Sequence, residues 1–457
     1  MVGCGFTGAA LIIHLVRSVH CPLEFEVIEP ADELGRGIAY GAADPCQRIN
    51  VPLERMSLFP HDPWHAMRWL FDRGAVPADA RGANAGYHYV SRSDYGAYVR
   101  SVLRQTLADA GRRVRLRHNR AVAKAVRRNG AQWLVELDDG RTVAGDYAAM
   151  CFGHARPRAP FPVSAEAAGS PHLIADPWHA DGLPELGKDA SILLVGMGLT
   201  MADMVESLLS RGHRGAITAV SRHGLLAQPQ GLFGVDFDLL DGAGPPASAL
   251  ALLRLLRERA RDAEHQGLGW QPVADALRAN LARIWPALPV LERQRMVKRL
   301  LPYWDAHRFR MAPQVHATIA RAISTGQLVL QKASVLSIDK EGELLTANLK
   351  LAGSMEKRSF GAMVLCIGPD TEPARRPLVR SLLARGLARR DPVGLGLEVD
   401  SQSCLVGGDG RVERTLLALG PMTRGTFGEM TGVPEIARQV AVVASGLARR
   451  TEMLASA

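Results

Sequence analysis

Apolar residues are distributed along the chain in several distinct textures. Ala9-Ala10-Leu11-Ile12-Ile13-His14-Leu15-Val16 is an apolar run long enough for a buried helix, and Leu23-Glu24-Phe25-Glu26-Val27-Ile28 alternates as a strand does. Ser93 to Ala110 carries the period of a capped amphipathic helix. A β-meander is predicted next: Val114 to His118, Ala121 to Val126, Gln132 to Leu137 and Thr142-Val143, punctuated by Asn129-Gly130 and Asp139-Gly140. Asp146 to Gly153 is an apolar strand running into glycine, and Phe360 to Pro369 repeats that ending through Gly368. Between these two, Ala190 to Val195 reads as a fully buried strand, Asp203 to Arg211 as a helix and Ala216 to Val220 as another strand. From Ala247 to Gly326 the spacing turns helical, with Leu250, Leu253, Leu256, Leu277, Leu281 and Ile284 as core positions. Leu328 to Leu330, Val335 to Ile338 and Leu344 to Leu349 are strand-like again. Thr415 to Leu419 is a last strand, and Thr431-Gly432-Val433-Pro434-Glu435 opens a last helix with proline in its first turn.

Two junctions in this pattern carry chemistry. Gly3-Cys4-Gly5-Phe6-Thr7-Gly8 reads G-x-G-x-x-G and enters a helix at once. Its glycines serve a tight turn, close approach of backbone to a pyrophosphate, and close packing of helix on sheet; the helix N-terminus then faces the phosphates. Glu29 follows about 20 residues later at a strand end, where a carboxylate takes the hydroxyls of an adenosine ribose, so FAD or NAD is expected. Only Met1 and Val2 precede Gly3, whereas the fingerprint needs a central strand of roughly five residues. A start upstream of Met1 is the expected reason; a chain that had lost the strand would hold its cofactor poorly.

The second junction is Gly196-Met197-Gly198-Leu199-Thr200-Met201-Ala202-Asp203, with Met201 or Ala202 in place of the third glycine. Its following strand ends in Ser221-Arg222-His223 and not in an acid. Arginine and a hydroxyl suit a 2′-phosphate that a carboxylate would repel, which favours NADPH with NADH still possible. A solvated arginine at a strand end is the plainer alternative. The expected fold is therefore α/β, with two Rossmann-like dinucleotide-binding domains in three layers and a helical segment. The second domain, 156–326, is inserted in a first domain made of 1–155 and 327–457.

Composition narrows the picture further. The chain has 457 residues, 47% hydrophobic and 22% charged, and no apolar run near the ~20 residues of a membrane span. With no basic-plus-apolar leader before the fingerprint, a cytoplasmic, soluble protein is expected. The net charge of +9 is mostly arginine spread along the chain, without a basic patch interleaved with aromatics, so nucleic acid is not an expected partner. Cys4, Cys21, Cys46, Cys151, Cys366 and Cys404 show no metal or dithiol spacing; no metal is expected, and a disulfide reductase would need two cysteines where Cys46 stands alone.

Two stretches stay open on their residues alone. Gly35 to Leu70, including Arg48-Ile49-Asn50-Val51-Pro52, is either a long surface loop or the irregular backbone against which a flavin lies. Tyr303 to Pro313 gathers Asp305, His307, Arg308 and Arg310, either to line a substrate site or as a structural salt-bridge network.

The run Glu33 to Gly41, Ile49-Asn50-Val51-Pro52 with Met56-Ser57, Gly198-Leu199-Thr200-Met201, His307-Arg308 with Met311-Ala312-Pro313, and Ala418-Leu419-Gly420-Pro421 with Thr423-Arg424-Gly425 and Val433-Pro434-Glu435-Ile436 together resemble a family. It is that of bacterial FAD/NAD(P)-binding oxidoreductases of largely unassigned substrate, distant relatives of the flavin-containing and N-hydroxylating monooxygenases. The resemblance implies FAD on Gly3, Gly5, Phe6, Thr7, Gly8, Glu29, Asn50, Val122, Gly153, Gly368, Gly420 and Pro434. It also implies NAD(P)H on Gly196, Gly198, Leu199, Thr200, Ser221 and Arg222; it names no catalytic group, for which His307, Arg308 and Asp305 of the Tyr303 to Pro313 cluster are the candidates. A helix N-terminus at Pro434 would stabilise the reduced, anionic ring. The implied activity is oxidation of NADPH by the flavin, and monooxygenation of a small polar, amino-bearing substrate. The alternatives are reduction of another acceptor or a low-turnover FAD-binding regulatory role, and no oligomeric state is implied. The chain departs from the family's pattern at Phe427-Gly428-Glu429-Met430, where a tryptophan is expected near Gly428.

Overall fold

The computed structural model describes residues 1–42, 44–82, 86–178, 183, 186–231, 235 and 237–455, the side chains of 452–455 excepted. Two sheets organise it. The first runs, in order, Val114–Asn119, Leu23–Ile28, Val2, Ala148–Met150, Val412–Ala418 and Cys404–Val406, parallel except for the last strand. Val2 bridges Ile28 on one side and Met150 on the other, so the central position before the fingerprint is filled by that residue. Its amide donates to Ala149 O at 2.8 Å, and its carbonyl accepts from Cys151 N at 2.7 Å.

The helices Phe6–Ser18, Arg92–Ala110 and Val433–Ala455 cover one face of this sheet through Leu11, Ile12, Tyr95, Val99, Val440 and Val443. Ser91 caps the second of these, accepting from Asp94 N. On the other face, Ala123–Asn129, Gln132–Leu137 and Thr142–Gly145 form an antiparallel meander whose Trp133 packs with Leu378 and Leu382 of the Pro377–Ala384 helix. Val114–Asn119, expected in that meander, instead pairs parallel with Leu23–Ile28. Its exposed residues alternate with half-buried ones, as at the edge of the main sheet.

The second sheet is wholly parallel, in the order Leu328–Lys332, Ile217–Ser221, Ile192–Val195, Ala362–Val364, Leu173–Ile174. The Leu199–Ser210 and Pro313–Ser324 helices pack on one face through Met201, Val205, Val315 and Ile319. The antiparallel strands Ser334–Glu341, Leu344–Lys350 and Met355–Phe360 cover the other through Leu345, Ala347, Leu349 and Phe360.

Leu328–Lys332 and Ala362–Val364 were expected to have returned to the first domain, with the boundary at 326/327. They are in the second sheet, because Leu328 and Val364 complete the apolar face under its helices. The chain rejoins the first sheet only at Cys404, beyond Gly368. The strands of the second sheet thus fall between two parts of the first, and the last of them, Ala362–Val364, lies well past residue 326.

Ala249–His265, Gln271–Ala287 and Val290–Arg308 form a helical layer with its own small core of Leu252, Leu277, Leu281, Ile284 and Trp285.

Candidate functional site

Both sheets reverse their strand order beside a glycine turn, the point at which a doubly wound sheet opens a crevice at its strand ends. In the first sheet, Gly3 has φ +86°, and a Cβ on it would stand 2.8 Å from Phe152 N and Cα. In the second, Gly196 has φ +124°, and a Cβ would meet Cys366 O at 2.1 Å. Each fingerprint's first glycine is therefore pressed against backbone two residues past the end of the strand that crosses back, Ala148–Met150 or Ala362–Val364. Side chains are excluded there by sterics and by backbone angle alike.

Gly8 lies over Gly3, its hypothetical Cβ 2.3 Å from Gly3 O, which seats the Phe6–Ser18 helix directly on the turn. That helix and the Leu199–Ser210 helix share a feature. Neither has a side-chain cap or an acid in its first turn, and both begin on a glycine in extended conformation, Gly5 and Gly198. Their leading amides are left for a ligand, and the helix dipoles favour an anion there. Phe6 and Thr7 are buried beneath this turn, while Leu199 and Thr200 are half-buried beside theirs.

Gly35-Arg36-Gly37, in the open stretch of the sequence, folds over the first fingerprint: Gly35 N donates to Cys4 O at 2.7 Å, and Gly37, at φ +56°, packs on Gly5. The Glu29 carboxylate accepts from Cys4 N at 2.8 Å and Ala31 N at 3.2 Å, so it is tied to the backbone of the turn. Val122 is exposed nearby, tied to Asp138 by its amide at 2.9 Å.

Gly153 and Gly368 are exposed at the two crossovers, with open space where a side chain would be. Gly420, at φ +79°, faces Thr7 Oγ1. Its amide donates to Gln439 Oε1 at 2.8 Å, and Gln439 Nε2 in turn donates to Ser403 and Thr423 at 3.0 Å each. Gln439, a buried polar residue inside an apolar helix face, left no signal in the sequence. Asn50 accepts the Gln230 side-chain amide on its carbonyl, joining the first unit to the second beside this crevice. Pro434 occupies the first turn of the last helix.

These features fit the two dinucleotides: cradles that a Cβ would fill, uncapped helix N-termini of two long helices, and an acid at the first strand end against Ser221-Arg222 at the second. Arg222 is exposed, and Ser221 is half-buried with its Oγ accepting from Gly224 N at 3.0 Å.

The three candidate catalytic groups are not brought together. His307 is exposed, its Nδ1 2.8 Å from Tyr303 O and its ring edge-on to Trp270. Arg308 is buried beside Glu429, Nε to Oε2 3.3 Å. Burial pushes its pKa down to about 10, with Arg278 adding and Glu429 opposing. Asp305 pairs with Arg424 at 3.3 Å; burial raises its carboxyl and Arg424 opposes. Arg278 holds Glu435 at 2.8 Å, and Arg310 pairs with Asp275. Of the two readings of Tyr303 to Pro313, the geometry gives Arg308 and Asp305 that of a salt-bridge network, which fastens the helical layer onto the 420–435 segment.

The tryptophan expected near Gly428 is supplied from elsewhere in the chain. Trp285, in the Gln271–Ala287 helix, lies against Gly428, where a Cβ would stand 2.9 Å from its Cγ, and its Nε1 donates to Gly425 O at 2.8 Å. Arg92 and Asp203 tie the two dinucleotide units at 2.8 Å; burial lifts the Asp203 pKa to about 6, against the pull of Arg92. Among the described residues no cluster of His, Cys, Asp or Glu could hold a metal ion, and no helix is long and apolar enough to cross a membrane.

Comparison with known proteins agrees with this geometry. Residues 1–155 match a family model described as FAD-NAD(P)-binding. No curated protein matches the chain. Among solved structures, the Kutzneria sp. 744 ornithine N-hydroxylase superposes with a TM-score of 0.65 at 14% identity over 98% of both chains. L-lysine 6-monooxygenase from Pseudomonas syringae gives 0.62 at 18% over 98% of both. The FAD-bound cadaverine monooxygenase of Erwinia amylovora gives 0.60 at 12%, over 97% of this chain and 93% of that one. The chain thus has the fold of the two-dinucleotide flavoproteins, and its first 155 residues match an FAD-NAD(P)-binding family model.

Proposed function

We propose that the chain is an FAD-dependent oxidoreductase that takes its electrons from NADPH and acts as a monooxygenase on a small, polar, amine-bearing substrate. The observation that carries this reading is the pair of crossover-backed glycine turns, Gly3 against Phe152 and Gly196 against Cys366, at the strand ends of two sheets in one chain. Gly3, Gly5, Gly8 and Glu29 would hold FAD, with Thr7, Asn50, Gly153, Gly368, Gly420 and the start of the last helix around it. Gly196, Gly198, Thr200 and Arg222 would hold NADPH, in a unit spanning about 156–367. FAD would supply the redox chemistry; the protein orients it, and excludes water from it.

The helical layer serves the second task. Trp285 and the Arg308–Glu429 and Arg278–Glu435 pairs clamp it against Gly425, Gly428 and the start of the last helix. The amine-bearing substrate class rests on the likeness to the ornithine, lysine and cadaverine enzymes. Aerobic NADPH oxidation measured across basic amino acids and aliphatic diamines, with hydroxylated product quantified beside oxygen uptake, tests it. Product in proportion to NADPH supports the reading. NADPH oxidised at one unchanging rate without product would make the chain an oxidase or a reductase of another acceptor.

A further inference from the structure

The end of the second sheet carries a second basic group beside Arg222. Lys332 is the last residue of Leu328–Lys332 and is directly paired with Ser221, the last residue of Ile217–Ser221. Neighbouring parallel strands lie about 4.8 Å apart, so the positions after Ser221 and at Lys332 form one rim of the crevice. The pairing is closed by Ala333 N donating to Ser221 O at 3.1 Å. Past Arg222 the chain turns sharply at Gly224, φ +65°, where a Cβ would lie 3.1 Å from Lys332 Cβ and 3.5 Å from its Cγ. The stem of Lys332 is thus packed against the turn that carries Arg222, while the residue as a whole is exposed. Among the described residues neither Lys332 nor Arg222 has an acidic partner. Elsewhere the chain pairs its basic side chains freely, as with Arg214–Asp189, Arg389–Glu398 and Lys357–Glu341.

Two unpaired cations on adjacent strand ends, beside the free hydroxyl proton of Ser221, describe a receptor for a dianion. Resting on the NADPH reading above, we propose that Lys332 is a specificity-determining residue. The 2′-phosphate of NADPH is held between Arg222, which offers a planar fork of donors, and Lys332, which offers a point charge from the neighbouring strand. Selection of NADPH over NADH then belongs to two strands, and the packed stem of Lys332 holds its ammonium in place before the ligand arrives.

The test is calorimetric titration of the flavin-loaded protein with 2′,5′-ADP and with 5′-AMP, in wild type, Lys332→Ala, Lys332→Arg and Arg222→Ala. Lys332→Ala should weaken 2′,5′-ADP by about tenfold, the ordinary worth of one charge-assisted contact, and leave 5′-AMP unchanged. Lys332→Arg should restore most of the loss. Lys332→Ala binding 2′,5′-ADP as wild type does, while Arg222→Ala is weakened, would overturn the role of Lys332 and leave the NADPH reading intact. A wild type that binds 5′-AMP as tightly as 2′,5′-ADP would overturn both.

Discussion

Replacing Glu429 with glutamine tests the attachment of the helical layer to the flavin side of the molecule. Glu429 and Arg308 have side chains only 2% and 3% exposed and approach to 3.3 Å. At an effective dielectric of about 20 their attraction is worth roughly 5 kcal/mol, and breaking one partner of such a buried pair costs about 3–5 kcal/mol because the other charge is stranded. The remaining neighbours of Arg308 offer little relief, since Arg278 is itself a cation and Glu435 is already bound to it. The melting temperature should therefore fall by about 3–5 °C for a chain of this length melting as one unit. Flavin fluorescence should report the same transition, because Glu429 also accepts from Thr431 N at 3.2 Å at the entrance to the last helix. Arg308→Met in the Glu429→Gln background removes the stranded charge and should recover part of the loss, a coupling readable from a double-mutant cycle. The pH dependence has a fixed sign. Burial alone would raise the Glu429 carboxyl, but Arg308 and Arg424 outweigh it and hold it below its ordinary 4.5. Its stabilisation is thus complete above the unfolded value and lost as pH falls through the lower folded one. Wild type should lose stability on acidification below about pH 4.5 more steeply than Glu429→Gln does. A variant melting within 2 °C of wild type, or two single losses that simply add, would refute the reasoning.

Gly8→Ala places a methyl where Gly3 O already stands, so the protein should purify with its flavin-to-protein absorbance ratio largely lost while circular dichroism stays near wild type. Trp285→Ala empties a buried indole site against Gly428 and should cost about 3–5 kcal/mol, seen as earlier release of flavin on heating. Arg222→Ala should lower the ratio of kcat/KM for NADPH over NADH; an unchanged ratio would remove the arginine from the 2′-phosphate site. Asp203, lifted from 3.8 to about 6 by burial, keeps its proton in the folded protein where the unfolded chain has lost it. Its stabilising contribution is full below the unfolded value and disappears as pH rises through about 6. Asp203→Asn should flatten that part of the stability profile, as followed by melting temperature between pH 4 and 7.

The glycine fingerprints were legible in the sequence because their geometry is local: a turn at positive φ followed by an apolar helix needs specific residues at fixed spacing. Glu29 and Arg222 could be placed for the same reason, each ending a strand at a set distance from its glycines. Sheet membership was less legible. Val114–Asn119 alternates as an edge strand does, and alternation does not tell a meander from the edge of a parallel sheet; the apolar Leu328-Val329-Leu330 likewise fits either sheet. The domain boundary was misplaced accordingly. The clamp over the flavin side was hidden further, since Arg308 and Glu429, like Trp285 and Gly428, meet across more than a hundred residues. A tryptophan missing beside Gly428 is a gap in the sequence and a filled site in space. Gln439 gave no sign at all, because one amide inside an apolar helix face looks like tolerated noise until Gly420 and Thr423 are found on it.

On the proposed function, one chain holds both dinucleotides and passes electrons between them. The absorbance spectrum of the purified protein, supplied with FAD and then mixed anaerobically with NADPH, tests it most directly. Bound flavin bands that bleach on addition of NADPH are the expected result. A protein that retains no flavin, or whose bound flavin stays oxidised under excess NADPH, would contradict it.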